Sequence, residues 1–111
     1  MPDVDKKRAA FRALAERVLN GEGTASAEQR ARAFNNDGLS APLDTLIGKV
    51  VTRPVRVTEA DFAAAKASGF SEDQLFELVI CAAVGQSDRL YQAGLAALAR
   101  ATVDEGSDSA A

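Results

Sequence analysis

The segment VTEADFAAAKASGFSEDQLFELVICAAVG, residues 57–85, constrains the fold more than any other part of the chain. Thr58 stands where a helix cap is expected, and Asp61 is spaced to reach back toward the backbone N–H of the cap residue. Gly69 supplies the left-handed conformation that ends many helices. The first half of the segment therefore predicts a short helix with defined ends.

The second half predicts a buried helix followed by a break. Ser71 and Gln74 have the spacing of a second capping box. The following residues, LFELVICAAV at 75–84, are apolar nearly all round, which predicts a helix surrounded on several sides at the centre of a bundle or an oligomer. Gly85 interrupts the pattern, and a further helix is expected from about Ser87.

The remaining residues also favour helices. A first helix is expected from about Asp3 to Asn20, a second after Ser26, and a third from Ser40. No strand alternation, internal repeat or linker is found. We therefore predict an all-α, single-domain bundle of about six helices over residues 1–103, with a polar C-terminal tail at 104–111.

Composition narrows the classes of function. The chain has 111 residues, a formal net charge of −3 and a pI of about 4.9, which opposes broad attraction to nucleic acid or anionic membranes. Histidine is absent, which removes the commonest general base and metal ligand, so no metal or cofactor is expected.

A single cysteine and the lack of an apolar signal core indicate a cytoplasmic protein. Alanine-rich helices form a thin core, which favours subunit association.

The spacing of residues 57–85 is also that of a helix-turn-helix, an alternative that predicts a DNA-binding regulator. The second helix of the motif would have to enter the major groove. It begins with Glu72 and Asp73, and Glu77 follows one turn later. These carboxylates would meet two rows of phosphates without a compensating cation on the same helix, so no nucleic-acid partner is expected.

A longer stretch, about residues 43–100, resembles the carboxymuconolactone decarboxylase and AhpD-like alkylhydroperoxidase family. The resemblance rests on LDTLIGKVV, AAAKASGFSEDQLFELV, ICAAVG and LYQAGLAALA. It implies an AhpD-like helical bundle that assembles into a trimer or a hexamer. Active members of the family carry a Cys-x-x-Cys-x-x-x-His motif and a relay glutamate on the preceding helix.

This chain departs from that motif at every position. Counting back from Gly69, the two cysteine positions are occupied by Pro54 and Val57, and the histidine position by Asp61. The relay glutamate would fall near Pro42. A thiol–disulfide cycle needs an attacking thiolate and a resolving partner, and neither is present at these positions. The resemblance therefore implies a shared scaffold without the redox chemistry.

Two sets of residues remain as candidates for a site. Lys49, Arg53 and Arg56 straddle Pro54, and with Asp61 they are candidates for a small anionic-ligand site at the start of the fourth helix. The alternative is solvated surface charge, with an ion pair to Asp61.

Cys81 is the other candidate. As the only cysteine it is a candidate redox or sensing thiol, but its apolar helix favours a buried and unreactive side chain.

These observations favour a family member without the redox pair, acting as a non-redox small-ligand-binding or interaction module and forming a homo-oligomer. The first alternative is an active decarboxylase or peroxidase-like enzyme of that family that uses other residues. The second is the helix-turn-helix regulator.

Overall fold

The computed structural model describes the main chain of residues 2–110 and the side chains of residues 5–103. Over this range the chain forms α-helices and one 3₁₀ turn, without a strand, which confirms the all-α class. The elements are α1 (Pro2–Asn20), α2 (Ala27–Asn35), α3 (Leu43–Thr52), the 3₁₀ turn (Pro54–Arg56), α4 (Glu59–Ala67) and α5 (Glu72–Ala110).

The helix ends around α4 are those that the sequence predicts. The Oγ1 atom of Thr58 accepts from the backbone N–H of Asp61 at 3.4 Å, and the Thr58 N–H donates to the Asp61 carboxylate at 2.8 Å. Gly69 has a φ of +114°, which suits glycine because it has no Cβ. Ser71 and Gln74 exchange the two bonds of a capping box, at 2.9 and 3.1 Å. Local polar signals therefore set the boundary between α4 and α5.

The prediction of about six helices is wrong, because α5 continues through Gly85 without a break. At this point α5 crosses α2, and a Cβ atom on residue 85 would collide with the carbonyl oxygen of Phe34. Glycine inside a helix costs up to about 1 kcal/mol relative to alanine. Here Gly85 lets the main chains of α5 and α2 come into direct contact. The glycine therefore marks a helix crossing and not a helix end.

The third helix also starts later than predicted. It begins at Leu43, with Pro42 as the cap residue, because residues 41 and 42 form a turn after Ser40. The backbone of Pro42, with φ −91° and ψ 2°, is not helical, although its carbonyl oxygen accepts from the Leu46 N–H at 3.4 Å as α3 begins. The apolar face of α3 is as expected, with Leu43, Leu46 and Ile47 all buried.

The core lies where the first half of α5 meets the shorter helices. Its fully buried large side chains come from α3 and α5: Leu43, Leu46, Ile47, Leu75, Leu78 and Cys81. Ala33 of α2 and Ala65 of α4 are buried against them. Only one side of residues 75–84 is covered in this way. Phe76 and Ile80, on the other side, are 67% and 38% exposed, so the expectation of a helix enclosed on several sides fails within a single chain.

A loop between α1 and α2 is held to α5 by one carboxylate. Glu77 accepts from the backbone N–H groups of Thr24 and Ala25 at 2.8 and 2.7 Å. The Ala25 bond is the main reason that the pKa of Glu77 lies below its usual value, and the Thr24 bond acts in the same direction. The carboxylate that sequence reasoning assigned to a DNA-repelling surface therefore has a structural role.

The chain is elongated, with extents of 62 × 28 × 21 Å. Its radius of gyration is 17.6 Å, whereas a compact chain of this length would have about 13 Å. The long α5 helix is the cause. Its second half runs beyond α3 and α4, and α1 packs alongside it, with the rings of Phe11 and Tyr91 stacked at 5.1 Å.

Candidate functional site

The structure brings two of the four residues of the candidate anion site together, as an ion pair. The Nζ atom of Lys49, near the end of α3, lies 2.9 and 3.0 Å from the two carboxylate oxygens of Asp61 in the first turn of α4. The side chain of Asp61 is only 11% exposed, and that of Lys49 is 35% exposed. Lys49 therefore neutralises a carboxylate of its own chain.

The surroundings of Asp61 explain its ionisation. The bond from Lys49 is the main reason that the pKa of Asp61 is lowered, followed by the bond from the Thr58 backbone, while partial desolvation acts in the opposite direction. The Thr58 hydroxyl lies 3.2 Å from the same carboxylate. Asp61 thus joins α3 to the capped start of α4.

The two arginines of the candidate site take no part in this ion pair. Arg53 ends α3, where its backbone N–H donates to the Lys49 carbonyl at 2.7 Å, and Arg56 ends the 3₁₀ turn. Both side chains are exposed to solvent. Whether they bind an anion stays a prediction.

The two positions at which the sequence resemblance would place the redox cysteines lie in the connection between α3 and α4. Pro54 begins the 3₁₀ turn, and Val57 is half-buried just before the Thr58 cap. The chain's cysteine lies on a different element, in the middle of the buried side of α5. At these positions Pro54 is exposed to solvent, and only Val57 packs against the core.

Cys81 has the environment of a buried thiol. It is 1% exposed, and its Sγ atom lies 3.3 Å from the carbonyl oxygen of Val18, to which it donates. Burial raises the pKa of Cys81, and Arg30 offsets this only in part. A low thiolate fraction and little access both favour an unreactive side chain.

A groove that the sequence analysis did not anticipate lies between α4 and the first turns of α5. It has a volume of about 700 Å³. Phe62 and Ala63 of α4 form one apolar wall, and Leu75, Phe76 and Val79 of α5 form the other. We call this region the α4–α5 groove. Phe76 leaves two thirds of its surface exposed at its edge, which is unusual for a side chain of this size.

The rim of the α4–α5 groove is acidic. Glu59, Glu72 and Asp73 line it, with Lys66 as the one cation among the lining residues. Lys66 forms an ion pair with Glu72, and its hydrogen bond is the main cause of the lowered pKa of that carboxylate. After this pairing, Glu59 and Asp73 leave the rim with net negative charge.

A signal for the groove was present in the sequence. Leu75 and Phe76 are adjacent, so they point about 100° apart around one helix, and burying one of them in the core does not by itself bury the other. The sequence could not tell which face stays exposed, because that depends on where α4 crosses α5.

A second, smaller depression of about 310 Å³ lies between α1 and the second half of α5. It is polar, and its lining includes Arg8, Arg12, Asp88 and Gln92. Asp88 and Gln92 of α5 therefore face Arg8 and Arg12 of α1 across this depression.

Comparison of this chain with known protein families, with curated proteins and with solved structures finds no match in any of the three.

Two further findings concern the described residues. None of their helices combines the length and apolar character that crossing a membrane requires. Within the same range, no three His, Cys, Asp or Glu side chains are grouped in a way that would hold a metal ion.

Proposed function

We propose that this chain is a cytoplasmic, non-redox interaction module with an AhpD-like scaffold, and that it binds a partner protein in the α4–α5 groove. The observation that carries the proposal is the open apolar groove with Phe76 exposed at its edge. Exposed apolar surface of this kind is costly in water and is typical of binding sites.

The proposed occupant is an amphipathic helix with basic residues beside its apolar face. Two walls of apolar side chains suit a helix laid into a groove, a common mode of peptide recognition. The acidic rim, with Glu59 and Asp73, adds complementarity for lysine and arginine on that helix. The same exposed carboxylates disfavour a nucleic-acid partner.

The surroundings of the other candidates support a binding role over redox chemistry. Cys81 is buried, and Lys49 is engaged with Asp61. Neither arrangement resembles an activated nucleophile, which needs an exposed thiolate or an adjacent base. The enzyme and DNA-binding alternatives have no specific contact in their favour among these residues.

The experiment uses two synthetic helical peptides of equal length, one built from leucine and lysine and the other from leucine and glutamate. We expect the lysine peptide to shift amide resonances of Ala63, Phe76 and Val79, and the glutamate peptide to bind much more weakly. Equal binding of both peptides, or shifts that map elsewhere, would contradict the proposal.

A pair of variants separates the groove from the rest of α4. Ala63→Arg places a long cation in the groove, whereas Ala64→Arg makes the same change at a neighbouring exposed position outside the groove lining. We expect Ala63→Arg to abolish binding of the lysine peptide and Ala64→Arg to leave it intact. Loss of binding in both variants, or in neither, argues against the groove.

A further inference from the structure

One exposed side of α5 carries a continuous uncharged seam, which meets the α4–α5 groove at Phe76. Its members alternate in spacing between four and three residues, the pattern of a helix–helix contact. We call them the outer seam: Phe76, Ile80, Ala83, Ser87, Leu90, Gly94, Ala97 and Ala101. All are exposed, and Leu90 leaves 64% of its surface in contact with solvent.

The opposite side of the same helix is more polar than the outer seam. Asp88 and Gln92 line the depression toward α1, and Arg89 donates through Nη1 to the Phe34 carbonyl oxygen at 2.7 Å. A helix on the surface of a monomer normally turns its polar residues to water and its apolar stripe to the core. In this half of α5, Tyr91 stacks on Phe11 of α1 beside these polar groups, while the exposed outer seam carries no charge and leaves Leu90 in water. This arrangement indicates that the outer seam is covered in the functional protein.

We infer that the outer seam is covered by a second copy of this chain, with the two α5 helices antiparallel about a two-fold axis near residues 88 and 89. Under this symmetry each large side chain meets a small one. The pairs, with the residue of the second copy given second, are Phe76 with Ala101, Ile80 with Ala97, Ala83 with Gly94, and Leu90 with Ser87. Phe76 also lines the edge of the α4–α5 groove, so in this pair Ala101 covers the side of its ring that faces away from the groove and leaves the other side to a helix bound there.

Size complementarity selects this arrangement over a parallel one. A parallel pair in register would oppose Phe76 with Phe76 and Gly94 with Gly94, which would overfill one end of the contact and leave a void at the other. In the antiparallel pair the small residues let the helices approach closely along the whole length, at the shallow crossing angle of a 3-4 contact.

Charge and area are compatible with a dimer. The positions that flank the outer seam carry only Glu77 and Arg100 as charges, so the net charge of −3 per chain is not concentrated at the contact. The outer seam extends for about 38 Å. With its flanking positions it would cover on the order of 700 Å² of each copy, and specific interfaces begin near about 600 Å² per partner.

Gly94 provides a substitution that tests the contact without disturbing the single chain. A Cβ atom there would meet no other atom within 4 Å, and the same is true of Gly48 on α3, which lies outside the outer seam. In sedimentation equilibrium we expect the wild type to be a dimer, or an assembly with an even number of chains. Gly94→Leu should weaken its association by about tenfold or more. Gly48→Leu should associate like the wild type.

Each other result overturns the inference. A wild type that stays monomeric across the micromolar range means that something other than a second copy covers the outer seam. A trimer excludes pairing about a two-fold axis. Association of Gly94→Leu equal to that of Gly48→Leu places the contact elsewhere. Circular dichroism of both variants verifies that helix content is retained.

Spin labels determine the direction of the pair. In a Cys81→Ala background, cysteines are introduced singly at Gln86, near the proposed axis, and at Thr102, far from it. The antiparallel pair predicts a short distance between the two labels at 86, and about 40 Å between those at 102. Short distances at both positions would mean a parallel pair and would refute the antiparallel arrangement.

Discussion

Gly85 of α5 lies directly against the main chain of Phe34 in α2, with no room for a Cβ atom between them. The contact is extended by Arg89, one turn further along α5, which donates to the carbonyl oxygen of the same Phe34 at 2.7 Å. Two successive turns of α5 therefore contact the end of α2. This crossing joins the two helices that pack against each other more extensively than any other pair among the described residues.

The first prediction concerns this crossing. We expect Gly85→Ala to lower the free energy of unfolding by about 2–3 kcal/mol, because the added methyl group must displace the α2 main chain. Gly48→Ala is the matched control, since its methyl group enters open space in α3 and should stabilise the chain by about 0.5–1 kcal/mol. Denaturant titrations at one protein concentration measure both values. A stable Gly85→Ala variant would mean that the helices do not touch here.

The second prediction concerns the loop between α1 and α2. Glu77→Gln replaces one carboxylate oxygen with an amide nitrogen, which cannot accept a hydrogen bond, so one of the two N–H groups of Thr24 and Ala25 loses its acceptor. We expect a loss of about 1–2 kcal/mol in unfolding free energy and faster hydrogen exchange at the amide that loses its acceptor. Glu22→Gln, at an exposed position in the same loop, should change stability by less than about 0.5 kcal/mol. Equal effects of the two substitutions would show that Glu77 does not anchor the loop.

The third prediction is the pH dependence that Asp61 contributes. Its pKa is lower in the folded chain than in the unfolded chain, so the unfolded chain binds the proton more tightly. The stabilisation is therefore fully present above the ordinary aspartate pKa of about 3.9 and is lost as pH falls through the lower, folded value.

Asp61→Asn tests this contribution. We expect the variant to be less stable than the wild type at pH 7 and the difference to shrink as the pH falls below about 3.9. Glu59→Gln, beside it on the exposed first turn of α4, serves as the comparison. A difference between Asp61→Asn and the wild type that is constant from pH 7 to pH 2 would show that the ion pair with Lys49 does not form in solution.

The fourth prediction concerns Cys81. Because the thiol is buried and its pKa is raised, we expect disulfide reagents to label it slowly in native protein and quickly once denaturant unfolds the chain. An Ala64→Cys, Cys81→Ala variant, with its thiol at an exposed position, supplies the rate for an accessible cysteine. Labelling of native Cys81 at the rate of that exposed cysteine would support a redox or sensing role for this thiol.

The fifth prediction concerns Arg53 and Arg56, whose side chains are exposed. If they form part of an anion site, inorganic phosphate should raise the melting temperature of the wild type, and the double change Arg53→Ala, Arg56→Ala should remove that shift. We expect no such shift in either protein, because Lys49 is already paired with Asp61. A rise in melting temperature with phosphate that depends on the two arginines would support an anion site at these residues.

Local patterns were sufficient to predict the helical class and the ends of α4. The bonds between Thr58 and Asp61, and between Ser71 and Gln74, span three residues, so the residues that make them are close in sequence as well as in space. The burial of Cys81 was likewise predictable from the apolar residues around it. Contacts of this range depend little on where the other helices lie.

The tertiary structure decided the features that join distant parts of the chain. Gly85 has the appearance of a helix break in the sequence, and only the position of α2 makes it a crossing point. The engagement of Lys49 by Asp61, the loop contact of Glu77 and the opening of the α4–α5 groove likewise depend on how separate helices pack. A single helix has several apolar faces available, and its neighbours determine which of them is buried, because burial is a property of the assembled surface and not of the local chain.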